Sequence, residues 1–586
     1  MNYRTPGVYV EEISLLPASV AQSETAIPVF IGFTEIAEAS DGNSLRMTPV
    51  RIASLMDFST LFGGPPVQSM EVAVETEAPY EPVAVNYPGG VSPFLMHHAL
   101  NLFYSNGGGE CFIVSVGGFE DDGSPVTPSY GPLKNGLDAI VNNDEITLVV
   151  IPEAIRLEAD PQHDLYKDVL THCNDQENRF GIFDVREDDN DAEEFRDGIG
   201  TSFLSHGAAY YPHIKTTIGF SFTPASVEFS GGPLDGSSWQ QAETLRSVLE
   251  IQKQFGKVKA KVEAAVAGVE DLLAPERRLL LRAMLRETEK AIGYANSALE
   301  LVTDNDFEAS EIAEAREDFE TVEALDIDDV LKAAIPGHLT TLNNAIEKIE
   351  EALDSILAQV NEETGIDEAN NDTVREYITS EYIAAVRNLL NAERITMPPS
   401  PAMAGIYARV DGNRGVWKAP ANVSINRVSA PSVKLSIAEN NRLNVHSTGK
   451  SINAIRSFPG RGTLVWGART LDGNSNEWRY IPVRRFFNMV EDSVKNASGR
   501  YVFEPNDANT WVKVKAMIEN FLTTQWRAGA LMGSKPEEAF FVSVGLGKTM
   551  TAQDVLEGKM IVEIGMAVVR PAEFIILRFS HKMMES

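Results

Sequence analysis

ITLVVIPEA, residues 146–154, is the stretch on which the fold turns. Its apolar residues follow one another almost without interruption until Pro152 and Glu153 close the run. That pattern belongs to a strand covered on both faces, not to one that alternates between core and water. Runs of the same kind recur as IPVFIGF (27–33), CFIVSV (111–116) and FGIFDV (180–185), and helix-compatible stretches such as PFLMHHALNLFYSNG and HDLYKDVLTHCNDQENR lie between them. The alternation predicts an α/β layer around a largely buried sheet. Residues 63–93, rich in Gly, Pro and Glu, read as a surface loop.

From about Gln240 to Val360 the composition shifts to Ala, Glu, Leu and Lys, with apolar residues at helical spacing through LRSVLEIQKQFGKVKAKVEAAVAGVEDLL and LTTLNNAIEKIEEALDSILAQV. These tracts predict antiparallel helices with breaks near Pro275 and Pro336. A coiled-coil rod is the alternative, although the heptads are not clean. MPPSPAMAG (397–405) ends the block, since prolines cannot continue a helix. Beyond it SFPGRGTLVWGARTL (457–471) reads as a strand opened by a Gly-rich turn. EWRYIPVRRFFNMVEDSVKNA (477–497) and NDANTWVKVKAMIENFLTTQWRAGAL (506–531) read as amphipathic helices, the second capped by Asp507 or Asn509. KMIVEIGMAVVRPAEFIILRFSHKM then gives two strand runs hinged at Pro571.

The 586 residues carry a net charge of −34, which argues against nonspecific binding of nucleic acid. The charge is unevenly spread: residues 1–240 hold 10 basic and 35 acidic side chains, 241–395 hold 16 and 33, and 396–586 hold 24 and 16. A basic C-terminal third behind two acidic blocks predicts an assembly component that meets an acidic protein. No apolar run is long enough to span a bilayer and no signal pattern opens the chain, so synthesis in the cytosol without membrane insertion is expected. Cys111 and Cys173, the two cysteines, are expected as reduced, buried thiols.

Motifs that carry chemistry are few. GLGKT (545–549) has Val542 where a phosphate loop requires its first glycine, so it reads as a turn. His97 and His98 are adjacent in an apolar helix and point in different directions, which makes them packing or interface residues instead of a metal pair. EDDNDAEE (187–194) lacks the glycine and terminal glutamate of a calcium loop and reads as a solvated loop or helix start. No nucleophile motif or metal motif occurs, so neither an enzyme nor a cofactor is expected, although a triad assembled from distant residues stays open.

The chain opens with TPGVYVEE (5–12), in which Val8 and Val10 face one way and Tyr9 the other behind the turn formers Pro6 and Gly7. A lone strand is not stable, and the run Phe574–Phe579 near the C-terminus is its counterpart.

In order, TPGVYVEE, AIPVFIGFTE, LFGGPP, ITLVVIPEA, AAYYPHIKT, PPSPAMAGIYARVDGNRGVWKAPAN, SFPGRGTLVWGARTL and KPEEAFFVSVG resemble the contractile tail sheath family of phages and of phage-tail-like injection particles. The resemblance runs from about Tyr3 to Phe579 and leaves out the helical block. It implies a multidomain α/β (α+β) chain: a subtilisin-like α/β middle domain without implied protease activity, an α+β C-terminal sheath domain with exchanged terminal strands, and an all-helical insertion. The implied boundaries are an arm at 1–25, the α/β domain at 26–216 and again at 397–450, an outward-facing acidic insertion at 217–396, an inner C-terminal domain at 451–570, and a second arm at 571–586. Gly7, Val8, Tyr9, Val10, Glu11, Glu12 and Ile13, with Phe574, Ile575, Ile576, Leu577, Arg578 and Phe579, become strands donated to neighbouring copies. Their roots at about Ser14–Ser23 and Arg570–Glu573 serve as hinges. Lys513, Lys515 and Arg527 become tube-facing cations. The implied function is a structural subunit that polymerises helically around an inner tube in a metastable extended state and contracts to drive the tube through a target envelope. Its partners are other copies of itself, the tube protein, and baseplate and cap proteins. It is assembled in the cytoplasm, in a released particle or virion tail. A hydrolase using the α/β domain and an acidic helical scaffold or adhesin are the competing classes.

Overall fold

A computed structural model describes residues 20–304 and 307–577, which form two compact units. The first holds the chain up to Pro66, then Pro93–Ile218 and the chain from Ile395 onward; the second is Val67–Ser92 with Gly219–Arg394.

In the first unit the apolar runs become the middle of an eight-stranded sheet. Its spatial order is Gly462–Trp466, Ile452–Phe458, Gly207–Tyr211, Phe180–Asp184, Leu148–Val150, Pro28–Phe33, Cys111–Gly117 and Val50–Ile52. The inner pairings are parallel and the two outermost are antiparallel. Every residue of Pro28–Phe33 is buried, because both faces are covered. Val29, Ile31 and Phe33 join one core with Leu133, Leu137, Leu165 and Val169 of helices Tyr130–Ala139 and Ala159–Gln176. On the opposite face Phe30 meets Phe103 edge-on at 5.2 Å. Phe103 belongs to helix Met96–Ser105, and helix Ser400–Arg414 crosses beside it. A Cβ at Gly405 would lie 2.4 Å from the Phe103 carbonyl oxygen, so glycine is what lets the two helices approach.

Two carboxylates are sealed beyond the C-terminal ends of these strands. Glu153 accepts hydrogen bonds from the Leu95 and Met96 amides, each at 2.9 Å, at the start of the 96–105 helix. Asp184 accepts one of 2.7 Å from the Ser400 amide, at the start of the 400–414 helix. Each therefore occupies a helix N-terminus, where negative charge is favoured. Burial is the larger effect and holds the Glu153 carboxyl at about 7 and the Asp184 carboxyl at about 6.

The second unit is a helical bundle of Trp239–Gly268, Ala274–Leu299, Ser310–Glu323 and Ile335–Thr364, around a core that includes Leu281, Phe319, Leu342, Ile349 and Ile356. Pro275 and Pro336 sit in the first turns of their helices, where a missing amide costs nothing. The loop expected at 63–93 is corrected here. Met70–Val74 and Pro82–Asn86 are strands of a three-stranded sheet with Val227–Ser230, so these residues leave the α/β domain and join the second unit. Met70–Val74 does alternate buried and half-buried side chains, but the surrounding Pro and Glu residues mask the pattern and its parallel partner lies far along the chain. The boundary expected at residue 451 also moves. Ile452–Phe458 pairs with Gly207–Tyr211 and Gly462–Trp466 follows it, so both strands belong to the large sheet.

Because the folded Glu153 carboxyl lies above its usual 4.5, the native state takes up a proton that the unfolded chain releases. The carboxyl's own contribution to stability is therefore full below about 4.5 and is lost as pH rises through 7, while His98, His172 and His206, each held down at about 4 by burial, act in the opposite sense below 6.5. The Glu153 contribution, up to about 3 kcal/mol, is read as the difference between thermal melts of the native protein and Glu153→Gln across this window.

Candidate functional site

Two long helices and one hairpin form the core of the C-terminal domain. Helix Ile481–Ser498 packs Val483, Phe486, Met489 and Val490 against Val514, Met517, Ile518 and Phe521 of helix Ala508–Arg527, over Val542 of the hairpin. Asp507 caps the second helix, accepting from the Asn509 and Thr510 amides at 3.0 and 2.9 Å.

The hairpin is Phe540–Val544 paired antiparallel with Val562–Met566, and it is a sheet of two strands only. Among the described residues neither outer edge has a partner strand, and two strands alone are marginally stable in water. Along the Val562–Met566 side runs an open groove whose apolar lining includes Phe487, Val490, Val494, Ile564 and Met566, with a volume of about 340 Å³.

Both segments expected as arm roots are fastened near this domain. Arg469 donates from Nε to both oxygens of Glu573 (2.9 and 3.2 Å) and from Nη2 to Oε2 (2.6 Å); Asn444 and the Tyr480 hydroxyl complete the shell at 2.7 and 3.2 Å. Arg469 is 4% exposed. These bonds outweigh desolvation and hold the Glu573 carboxyl below the usual carboxylate range. At the other root Arg485, also 4% exposed, donates to both oxygens of Asp411 at 3.0 and 2.6 Å and to the Thr25 carbonyl at 2.6 Å. The Thr25 hydroxyl donates to Asp411 at 2.7 Å, and the guanidinium lies 4.6 Å from the Tyr407 ring centroid. Ser23 donates its amide to the Ser493 hydroxyl, and Gln22 pairs with Gln525.

Gly7–Ile13, expected as a donated strand, lies outside the described residues, as do Arg578 and Phe579. Phe574, Ile575, Ile576 and Leu577 are 70–79% exposed, with no strand formed. The hinge expected at Arg570–Glu573 is pinned at its last residue, and Gln22 and Ser23 of the other root are bonded to helices. Lys513 and Arg527 are exposed on one face of their helix, whereas Lys515 is half-buried and pairs with Glu519 at 3.5 Å. At about 100° per residue Lys513 and Lys515 are about 160° apart, so they do not form one cationic patch.

The remaining motifs find structural roles. Gly545 opens a turn whose carbonyl accepts from the Lys548, Thr549 and Met550 amides. His98 is buried, its ring held down at about 4 by desolvation, and His97 packs on Phe58. Asp188 pairs with Arg186, Asp191 with Arg442, and Asp189 accepts from the Glu194 and Phe195 amides. Both cysteines are buried free thiols. A hydrolase would need an accessible nucleophile oriented by a base. Asp184, His213 and Ser400 do gather at the sheet's end, but all three are buried. His213 Nε2 lies 3.1 Å from the Val185 carbonyl instead of facing the serine.

Residues 474–582 match the family model described as the phage tail sheath C-terminal domain. That stretch therefore carries a phage tail sheath C-terminal domain. The tail sheath protein of Vibrio phage KVP40 is 28% identical over 171 residues, 27% of this chain and 25% of that protein. The chain thus aligns with a quarter of that curated relative's length. Likeness to solved sheaths runs the whole length: 25% identity and a TM-score of 0.53 to the sheath complex of an extracellular contractile injection system, PVC, in its contracted state, covering 99% of both chains. The contracted helical sheath of the anti-feeding prophage gives 26% and 0.52, covering 99% of this chain and 100% of that one.

The fastening residues Thr25, Asp411, Arg469, Arg485 and Glu573 escape a reading by motif. The available signal is RR inside the apolar YIPVRRFF: a helix that buries both neighbours must also bury a guanidinium, which then needs an anion. Asp411→Asn should leave Arg485 buried without its counter-charge and lower the unfolding free energy of the sheath subunit by about 3 kcal/mol, read by chemical denaturation.

Proposed function

We propose that this chain is the structural subunit of a contractile sheath, which polymerises helically around an inner tube and contracts to drive it through a target envelope. The observation that carries the proposal is the two-stranded C-terminal sheet, whose outer edges have no partner strand among the described residues, in a chain that also presents the exposed apolar segment Phe574–Leu577. A strand from another copy satisfies the backbone groups of such an edge, and its alternate side chains choose the register. With about four backbone hydrogen bonds per arm at roughly 1 kcal/mol each, two arms hold a subunit by several kcal/mol before any apolar burial. Contacts of this kind join unlike surfaces, so they extend instead of closing and give a helical polymer.

The parallel, two-face-covered sheet supports the subtilisin-like reading of the α/β domain, here as a rigid body and not as a hydrolase. Contraction then reorients whole subunits while the arms keep them joined, and free energy is released as neighbouring subunits bury more surface against each other. Assembly then takes place in the cytoplasm, with a baseplate at one end and a cap at the other. Lys513 and Arg527 are the cations that suit an acidic tube; each such pair contributes on the order of 1 kcal/mol or less, weak enough for a grip that must release. The acidic helical unit faces outward.

Removing residues 1–20 should leave folded, soluble subunits that form no tubes in electron microscopy; long tubes of normal appearance would refute the arm assignment. Reversing charge with Lys513→Glu and Arg527→Glu should lower the fraction of inner tubes that acquire a sheath, most strongly at low salt, and Lys515→Glu should have the smaller effect.

A further inference from the structure

Both arms leave the body at a buried arginine, and both arginines lie on one stretch, residues 469–485, which joins the large sheet to the C-terminal domain. We propose that Arg469 and Arg485 are positioning residues that fix the exit points of the two arms and pass tension from one arm to the other through this stretch. The proposal rests on the reading of the termini as donated strands.

The physical argument is the contrast on either side of Glu573. On the body side its carboxylate is held by the bidentate Arg469, by Asn444 and by Tyr480. Pulling it out would leave a guanidinium that is 4% exposed with no counter-charge. On the far side Phe574–Leu577 are exposed, so their reorientation meets little resistance. The pivot of the C-terminal arm therefore lies beyond Glu573. At the N-terminal root Arg485 grips the Thr25 carbonyl and shares Asp411 with the Thr25 hydroxyl, while Ser23 and Gln22 are bonded to the two C-terminal helices. That pivot lies before Gln22. A pull on either arm thus reaches the body at a fixed point.

The test places a spin label at Ala572→Cys, which is exposed and next to Glu573; the native cysteines are buried and leave labelling specific. In the unassembled full-length subunit the label should be restrained, and Glu573→Gln should raise its mobility about tenfold. The double variant Arg469→Met with Glu573→Met removes both charges, so it should loosen the label equally without a stranded cation. Sheaths built from either variant should assemble but fragment on contraction in electron microscopy. An unchanged label signal would overturn the anchor. A loosened label with sheaths that contract intact would overturn the positioning role. Because the label is read before assembly, it separates the anchor from strand donation: normal tubes without residues 1–20, with the label still responding, would sink donation and the tension path with it.

Discussion

A strand edge leaves backbone amides and carbonyls that must be satisfied by something, and this constraint organises the whole molecule. The large sheet meets it over most of its width: its parallel interior is bounded by an antiparallel hairpin at one side and the short antiparallel strand Val50–Ile52 at the other, so hydrogen bonding runs unbroken between them. Among the described residues the C-terminal hairpin meets it only between its own two strands. Edges are thus a small fraction of the eight-stranded sheet and half of the backbone groups of the hairpin.

The carboxylates inside the large sheet carry the same logic into the core. In doubly wound sheets the crevice beyond the strands' C-terminal ends, where strand order reverses, is the usual place for a ligand. Here Pro28–Phe33 lies between strands that continue in opposite directions along the sheet. Glu153 fills the space beyond it so closely that a Cβ at Gly32 would sit 2.1 Å from its Oε2. The chain supplies its own anion to the helix N-terminus, and the crevice serves cohesion between sheet and helix.

How far the sequence could be read follows from which signals are local. Continuous apolar runs announce strands covered on both faces, so ITLVVIPEA, IPVFIGF, CFIVSV and FGIFDV were legible as sheet, and the bundle helices were legible from their period. Met70–Val74 was not, because its sheet depends on Val227–Ser230 and local composition speaks for a loop. Gly462–Trp466 was legible as a strand within SFPGRGTLVWGARTL, but Ile452–Phe458 was not, and nothing placed either in the large sheet, since a parallel partner more than two hundred residues earlier leaves no local mark. Of the candidate site, TPGVYVEE and Phe574–Phe579 were read as strand runs; the first lies outside the described residues and Phe574–Leu577 form no strand. The arginine fastenings were invisible, because an ion pair between positions such as 469 and 573 has no periodicity to betray it.

The way the helical unit is spliced in carries a further consequence. Its departing and returning chains run side by side: Ile214–Thr216 pairs with Thr396–Met397, the Thr216 amide bonds the Ile395 carbonyl, and the Ile395 amide bonds the Ile218 carbonyl. Such a closed gateway makes the excursion a cassette, whose contents can be exchanged without disturbing the register of the strands that bracket it. Since Val67–Ser92 contributes two strands to the same cassette, an exchange has to take both loops together. Done that way, the large sheet becomes a platform on which a foreign module can be carried without a change in its own strands.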